Sequence, residues 1–189
     1  MNGGVVITEG MKIVAGDEAE KREPYINHHF NPQHLSSLER NKIGFVGEFC
    51  ACEILGINWK DNIRKSYLDI DSGDGVCKKG IYDVKTETVP KRYAEKILNH
   101  TIKDDEIYGR RLINGGQVSL LSKYDIVIFG LIIREKKDKW YPLGWLKTDY
   151  ILKNYLPTYS RPDGGTYPFQ ALPIKTSDLK PIEQLFSNK

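Results

Sequence analysis

The longest apolar run in the chain covers residues 126–133, and it constrains the fold more than any other feature of the sequence. Successive residues of a strand point to opposite faces, so a strand formed by this run would be apolar on both faces. Such strands are typical of the centre of a sheet that is covered on both sides. The run is too short to cross a bilayer, which needs about 20 apolar residues. We therefore predict an α/β protein without a membrane-spanning segment.

A long helix is predicted before this strand, over Ser37–Leu55. Residues 36–39, Ser-Ser-Leu-Glu, offer a capping box, in which a hydroxyl and a glutamate three residues later satisfy free backbone groups. Gly56 fits the left-handed residue that follows many helices. From Phe45 onward the helix is apolar on nearly all sides, so its second half should be buried.

Alternating residues on either side of a turn predict a β-hairpin. The first strand is expected over residues 66–71, the turn over 72–75 and the second strand over 80–86, which is rich in residues that suit a sheet. Three further elements are predicted from periodicity: a helix near residues 91–99, a strand over 140–146 and a short helix over 147–155.

The length of 189 residues suits a single domain. Its core is expected at about residues 36–156. Residues 1–35 are expected to be irregular, apart from a short strand near residues 5–7, because glycines, prolines and a polar run interrupt them. Residues 157–189 are rich in proline and glycine and are expected to wrap the surface as a tail.

Composition gives weak indications of location and partner. Three cysteines without framework spacing argue against a disulfide scaffold and favour a reducing, cytoplasmic setting. The segment from Met1 to Gly10 has no basic stretch followed by an apolar core, so no secretory signal is expected. The net charge of +3 is compatible with a nucleic-acid partner but does not indicate one by itself.

The residues that suggest a chemistry are Asp83 and Lys85. They lie two apart on the second predicted strand and therefore share one face. Asp69 lies on the partner strand, where its carboxylate could approach that of Asp83. Two such carboxylates repel each other unless a cation lies between them, and hard oxygen ligands suit Mg²⁺ or Mn²⁺. With a lysine beside the metal to hold or deprotonate water, the pattern predicts hydrolysis of a phosphodiester.

The first carboxylate of this set has three candidates. Asp69 and Asp71 share a face, and Asp74 lies in the predicted turn, where aspartate is common for structural reasons. We place Asp69 first, then Asp71, then Asp74. Asp83 and Lys85 could alternatively form an exposed ion pair of about 0–1 kcal/mol with no catalytic role.

The order of these residues resembles the PD-(D/E)XK nucleases, a superfamily of restriction enzymes, Holliday-junction resolvases and small phage nucleases. Residues 81–86, Ile-Tyr-Asp-Val-Lys-Thr, resemble the second motif of that family, and Gly47-Glu48 resembles the glutamate of its preceding helix. The similarity continues through Gln117, residues 125–129 (Asp-Ile-Val-Ile-Phe) and Gly144-Trp145, and covers about residues 40–150. In contrast to the family pattern, Leu68 rather than proline precedes Asp69.

The resemblance implies a restriction-endonuclease-like core, a mixed β-sheet flanked by helices, with the activity of a magnesium-dependent endodeoxyribonuclease. Mg²⁺ or Mn²⁺ would be held by Asp69, Asp83, Glu48 and the Val84 carbonyl. Lys85 would orient and activate water, and Gln117 would contact phosphate or water. The partner would be DNA and the product would carry a 5′-phosphate. A homodimer is a further implication, because many relatives dimerise to cut both strands.

Several alternatives stay open at the level of sequence. Glu53 competes with Glu48, because both lie on the apolar part of the helix and periodicity does not separate them. The protein could also be a catalytically inactive nucleic-acid-binding or regulatory protein on the same fold, or an unrelated α/β protein with structural charges. Basic residues that flank the motif are each expected to be solvated, although together they could contact phosphates: Lys60, Arg64, Lys65, Lys78, Lys79, Lys91, Arg92, Arg110 and Arg111.

Overall fold

The computed structural model describes residues 3–25, 35–67 and 73–186. These residues form a five-stranded sheet and a three-stranded antiparallel sheet, combined with helices. The strands are β1 (Val5–Val6), β2 (Gly75–Cys77), β3 (Gly80–Val89), β4 (Arg110–Asn114), β5 (Ile126–Ile133), β6 (Lys139–Lys147), β7 (Thr158–Ser160) and β8 (Thr166–Lys175). The α-helices are α1 (Glu9–Arg22), α2 (Ser37–Leu55), α3 (Lys91–Leu98), α4 (Val118–Leu121) and α5 (Thr148–Asn154).

The larger sheet has the strand order β1-β6-β5-β3-β2, in which β3 and β5 are parallel and the other pairs antiparallel. Strand β5 is buried along its whole length, as predicted. Its Ile126 and Ile128 pack with α1 and α2 on one face, whereas Val127 and Phe129 pack with β4, β8 and α5 on the other. The mixed α/β class is thereby confirmed, with the core divided between the two faces of this sheet.

Helix α2 has the predicted termini. The Ser36 side chain accepts a hydrogen bond from the Glu39 amide, and the Glu39 carboxylate accepts one from the Ser36 amide. Gly56 follows the helix in the left-handed conformation. Residues 45–52 are buried against the larger sheet, as the apolar pattern predicted. None of the described helices is long and apolar enough to cross a membrane.

The expectation that residues 1–35 are irregular is wrong, because they contain helix α1, although the short strand β1 is confirmed. The Thr8 side chain caps α1 by accepting a hydrogen bond from the Met11 amide. Met11, Ala15 and Ala19 lie four residues apart and are buried in the core shared with α2. The helix was not predicted from the sequence, because its buried face contains small alanines that stand between charged residues.

The hairpin lies further along the chain than predicted. Strand β2 pairs with β3 through a turn at Lys78 and Lys79, so the turn expected at residues 72–75 is wrong. Most of the expected first strand, including Asp69 and Asp71, lies in residues 68–72, outside the described residues. Gly75 pairs with Tyr82, and a Cβ at Gly75 would overlap the Tyr82 hydroxyl. Close packing of the tyrosine, not a turn, therefore requires this glycine.

The C-terminal segment is not a surface tail. Strand β8 lies between β4 and β7 in the smaller sheet, and its Leu172 and Ile174 are fully buried against the larger sheet. Strand β8 was not predicted from the sequence, because it contains Pro168 and Pro173 and prolines are rare inside strands. The other predicted elements are present as α3, β6 and α5.

Candidate active site

A cavity lies along an open edge of the larger sheet. Strand β2 pairs only with residues 80–82 of β3, and beyond them no other described strand pairs with that edge. A cavity of about 580 Å³ follows β3 from Asp83 to Thr88. Helix α2 borders it on one side and the smaller sheet on the other. The short length of β2 therefore exposes the motif residues of β3 to a cavity.

Asp83 and Lys85 form an ion pair inside this cavity. Lys85 Nζ lies 2.8 Å from Asp83 Oδ2 and 3.1 Å from Oδ1. In the sheet register these residues lie beside Val127 and Phe129, so they share the face that points toward the smaller sheet. Asp83 is only 6% exposed. This burial excludes the alternative of a solvated surface pair.

Asp74 lies beside Asp83, because it directly precedes β2 and β2 pairs with β3 in antiparallel register. Its Oδ2 accepts a hydrogen bond of 2.7 Å from the Val84 amide, and its Oδ1 accepts one of 2.8 Å from Arg64. Burial, followed by the charge of Asp83, raises the pKa of Asp74 to about 6. Of the three candidates for the first carboxylate, Asp74 is the one that lies within the described residues.

Glu48 reaches the same cavity from helix α2. It is 4% exposed, whereas Glu53 is exposed to solvent on another side of the helix. Within the described part of the chain, Glu48 Oε2 is buried without a hydrogen bond. Burial, followed by the charge of Asp74, raises the pKa of Glu48 to about 8. The structure thus places Glu48, rather than Glu53, with the acidic residues of the cavity.

Arg64 lies between two of these carboxylates. Its Nη2 is 2.8 Å from Asp74 Oδ1 and 3.6 Å from Glu48 Oε2, and its side chain is 15% exposed. Arg111 is also buried and pairs with Glu87 of β3. The expectation that the flanking basic residues are solvated is wrong for these two arginines. The sequence around each arginine does not indicate that it is buried, because the carboxylates that pair with it are not its neighbours in the chain.

The remainder of the cavity is lined by groups that suit a polyanion. Arg22 and Arg40 lie on the helical side, and Arg134 extends from the end of β5. Gln117 lies at the end of a turn after β4 and lines the cavity together with Asn114. The cavity therefore combines the buried carboxylates of Glu48 and Asp83 and the partly buried carboxylate of Asp74 with basic and amide side chains.

The donor chemistry fits a hard divalent cation. Glu48 Oε2 is buried and lacks a hydrogen bond among the described residues, and Asp83 Oδ2 is buried against the Lys85 ammonium at 2.8 Å. Carboxylate oxygens are the ligands that Mg²⁺ and Mn²⁺ prefer. Within the described ranges, however, no three Asp, Glu, His or Cys side chains are grouped closely enough to hold a metal ion. Asp69 lies outside those ranges, and the role of the Val84 carbonyl stays a prediction.

Comparisons with known proteins identify no relative. No protein-family model, curated protein or solved structure matches the chain. The resemblance to PD-(D/E)XK nucleases therefore rests on the order of the motif residues and stays a prediction.

Proposed function

We propose that the chain is a metal-dependent endonuclease that hydrolyses DNA phosphodiester bonds on a restriction-endonuclease-like core. The observation that carries the proposal is the buried pair of Asp83 and Lys85, which shares one cavity with Glu48 and Asp74. Charged side chains are rarely buried together without a partner or a function. The mixed sheet with helices, and the exposed edge of β3, are compatible with this kind of core.

The carboxylates would hold Mg²⁺ or Mn²⁺. The proposed ligands are Glu48, Asp83, the Val84 carbonyl and a first-motif aspartate, for which Asp69, Asp71 and Asp74 remain the candidates. When bound, the ion supplies Lewis-acid polarisation of a phosphate and makes a water molecule easier to deprotonate. Lys85, whose ammonium lies within 3.1 Å of both Asp83 oxygens, would orient that water and balance charge on the phosphate.

The basic and amide groups of the cavity would bind the DNA backbone. Arg22, Arg40 and Arg134 can neutralise phosphates, and Gln117 can donate a hydrogen bond to a phosphate oxygen. Binding through such contacts weakens steeply as salt concentration rises, because counterions released from the DNA are taken up again. A homodimer that cuts both strands stays a prediction, and size-exclusion chromatography with and without DNA would test it.

The alternative is a nucleic-acid-binding or regulatory protein on the same fold that has no activity. Two observations favour it. Lys85 and Arg64 already neutralise Asp83 and Asp74, and the described residues contain no group of three Asp, Glu, His or Cys side chains that could hold a metal ion. Both functions predict DNA binding, so cleavage and its dependence on metal separate them.

The proposal is tested by incubating plasmid and oligonucleotide DNA with the purified protein and Mg²⁺ or Mn²⁺. Cleavage is expected, it should stop on addition of EDTA, and Ca²⁺ should support binding with little cleavage because its coordination is looser. Asp83→Asn, which keeps the shape of the side chain, should abolish cleavage. Lys79→Ala, an exposed change in the β2–β3 turn, should not. Cleavage that persists in EDTA contradicts the metal mechanism, and DNA binding without any cleavage favours the inactive alternative.

A further inference from the structure

Arg64 joins two carboxylates that come from different parts of the chain. Glu48 lies on α2, Asp74 directly precedes β2, and Arg64 belongs to the segment that connects these two elements. Its guanidinium makes a hydrogen bond to Asp74, but its contact with Glu48 at 3.6 Å is an ion pair without a hydrogen bond. Arg64 therefore lies between the two carboxylates. Among the described residues, no donor makes a hydrogen bond to Glu48 Oε2.

The acidic groups around this position outnumber the basic groups. Glu48, Asp74 and Asp83 supply three acidic groups, whereas Arg64 and Lys85 supply two positive charges at ion-pair distance. Glu48 and Asp83 are each more than nine-tenths buried. Glu48 Oε2 has no hydrogen bond in the described part of the chain, whereas Asp83 Oδ2 lies 2.8 Å from Lys85 Nζ. The Glu48 oxygen can accept a further cation, but a divalent ion near it would meet the charge of Arg64.

We propose that Arg64 is an internal competitor for the divalent cation. In the metal-free protein its guanidinium pairs with Asp74 and lies against Glu48, and it has to withdraw from them when a cation binds between the carboxylates. This inference rests on the proposed function, because it takes these carboxylates as metal ligands. It adds a residue outside the motif that sets the affinity for the metal.

Arg64→Gln tests the inference without DNA, by titrating Mn²⁺ alone in a calorimeter and by following thermal unfolding. The variant should bind Mn²⁺ at least about tenfold more tightly than the wild type, because a positive charge within a few ångströms of the ion has been removed. Without metal it should unfold at a lower temperature, since Asp74 loses its counter-ion. Saturating Mn²⁺ should restore the unfolding temperature to that of the metal-loaded wild type.

Two further variants make the test specific. Arg64→Lys keeps the charge, but its single ammonium does not bridge two carboxylates as a guanidinium does, so its affinity should lie between those of the wild type and Arg64→Gln. If Arg64→Gln does not fold, Arg64→Lys tests the inference in its place. Lys79→Gln removes a charge from the exposed β2–β3 turn, outside the residues that line the cavity, and should leave Mn²⁺ affinity unchanged.

The outcomes separate this inference from the proposed nuclease activity. Unchanged or weaker Mn²⁺ binding by Arg64→Gln, in a protein whose wild type binds Mn²⁺ and cleaves DNA, overturns the inference alone. Tighter binding by Arg64→Gln in a protein that cleaves no DNA supports the inference and overturns the nuclease proposal. Failure of both proteins to bind Mn²⁺ overturns both.

Discussion

Gly47 of helix α2 lies directly against Thr86 of strand β3, so closely that a Cβ at position 47 would overlap the Thr86 hydroxyl oxygen. That oxygen also accepts a hydrogen bond of 3.0 Å from Trp140 Nε1, which limits its freedom to move. The next residue on the helix is Glu48. The close approach of α2 to β3 therefore determines how far Glu48 reaches into the cavity.

Gly47→Ala should force α2 away from β3. The expected loss of stability is about 1–3 kcal/mol, typical of overpacking a dense interior, and metal binding should weaken because Glu48 moves with the helix. Gly44→Ala is a matched control one turn earlier, where a Cβ would meet no atom within 4 Å. It should be neutral or stabilise by up to about 1 kcal/mol. Chemical denaturation measures both, and equal effects would contradict the packing argument.

Lys85→Ala separates catalysis from stability. Its ion pair with the buried Asp83 is lost, so the metal-free variant should be less stable by about 1–3 kcal/mol, less than for a fully buried pair because Lys85 is 20% exposed. Saturating Mg²⁺ should reduce this loss by neutralising Asp83. Cleavage should fall by several orders of magnitude while DNA binding is retained. A variant that cleaves DNA normally would show that Lys85 has a structural role only.

Local patterns predicted the elements whose burial is visible in the sequence itself. Strand β5 is apolar at every position, and α2 combines a capping box with a C-terminal glycine, so both were predicted closely. Helix α1 was missed because its buried face consists of a methionine and two alanines among charges. Strand β8 was missed because its two prolines resemble a loop.

The part of the candidate site that lies on a single strand was predicted from the alternation of side chains between the two faces of that strand. Asp83 and Lys85 share a face for that reason, and the motif order separated Glu48 from Glu53 where periodicity did not. Arg64 was not predicted as a site residue, because its burial depends on two carboxylates brought together by tertiary packing. Asp74 was ranked last of the three candidates for the first carboxylate, because the glycine-rich segment around it indicated a turn. In the structure this segment leads into β2.

Tyr67→Phe tests a contact that attaches the segment before residue 68 to helix α1. The Tyr67 hydroxyl donates a hydrogen bond to Glu18, a carboxylate that is 1% exposed and also pairs with Lys21 at 2.7 Å. Removing the hydroxyl should cost about 1–3 kcal/mol, because a buried charged acceptor loses a donor. Tyr159→Phe, at a tyrosine that is 57% exposed, should change stability by less than about 0.5 kcal/mol. Equal denaturation midpoints for the two variants would contradict the proposed importance of the contact.

The stability of the metal-free protein should fall as pH rises from about 5 to 8. Burial raises the pKa of Glu48 from 4.5 to about 8, so in this range the folded protein keeps a proton that the unfolded chain has released. A raised pKa of this kind stabilises the fold fully below the unfolded value of 4.5, and the contribution disappears as pH rises through 8. The expected loss is about 2–4 kcal/mol over the range, measured by denaturant unfolding in EDTA.

Glu48→Gln should remove most of this pH dependence, because the amide has no proton to release, and should make the metal-free protein more stable than the wild type at pH 8. Glu53→Gln changes an exposed carboxylate on the same helix and should leave the pH profile unchanged. Asp74, whose pKa is raised to about 6, should account for a smaller slope that remains below that pH. If Glu48→Gln and the wild type lose stability in parallel between pH 6 and 8, then Glu48 is ionised in the metal-free cavity. Arg64 would then neutralise it more completely than its distance of 3.6 Å indicates.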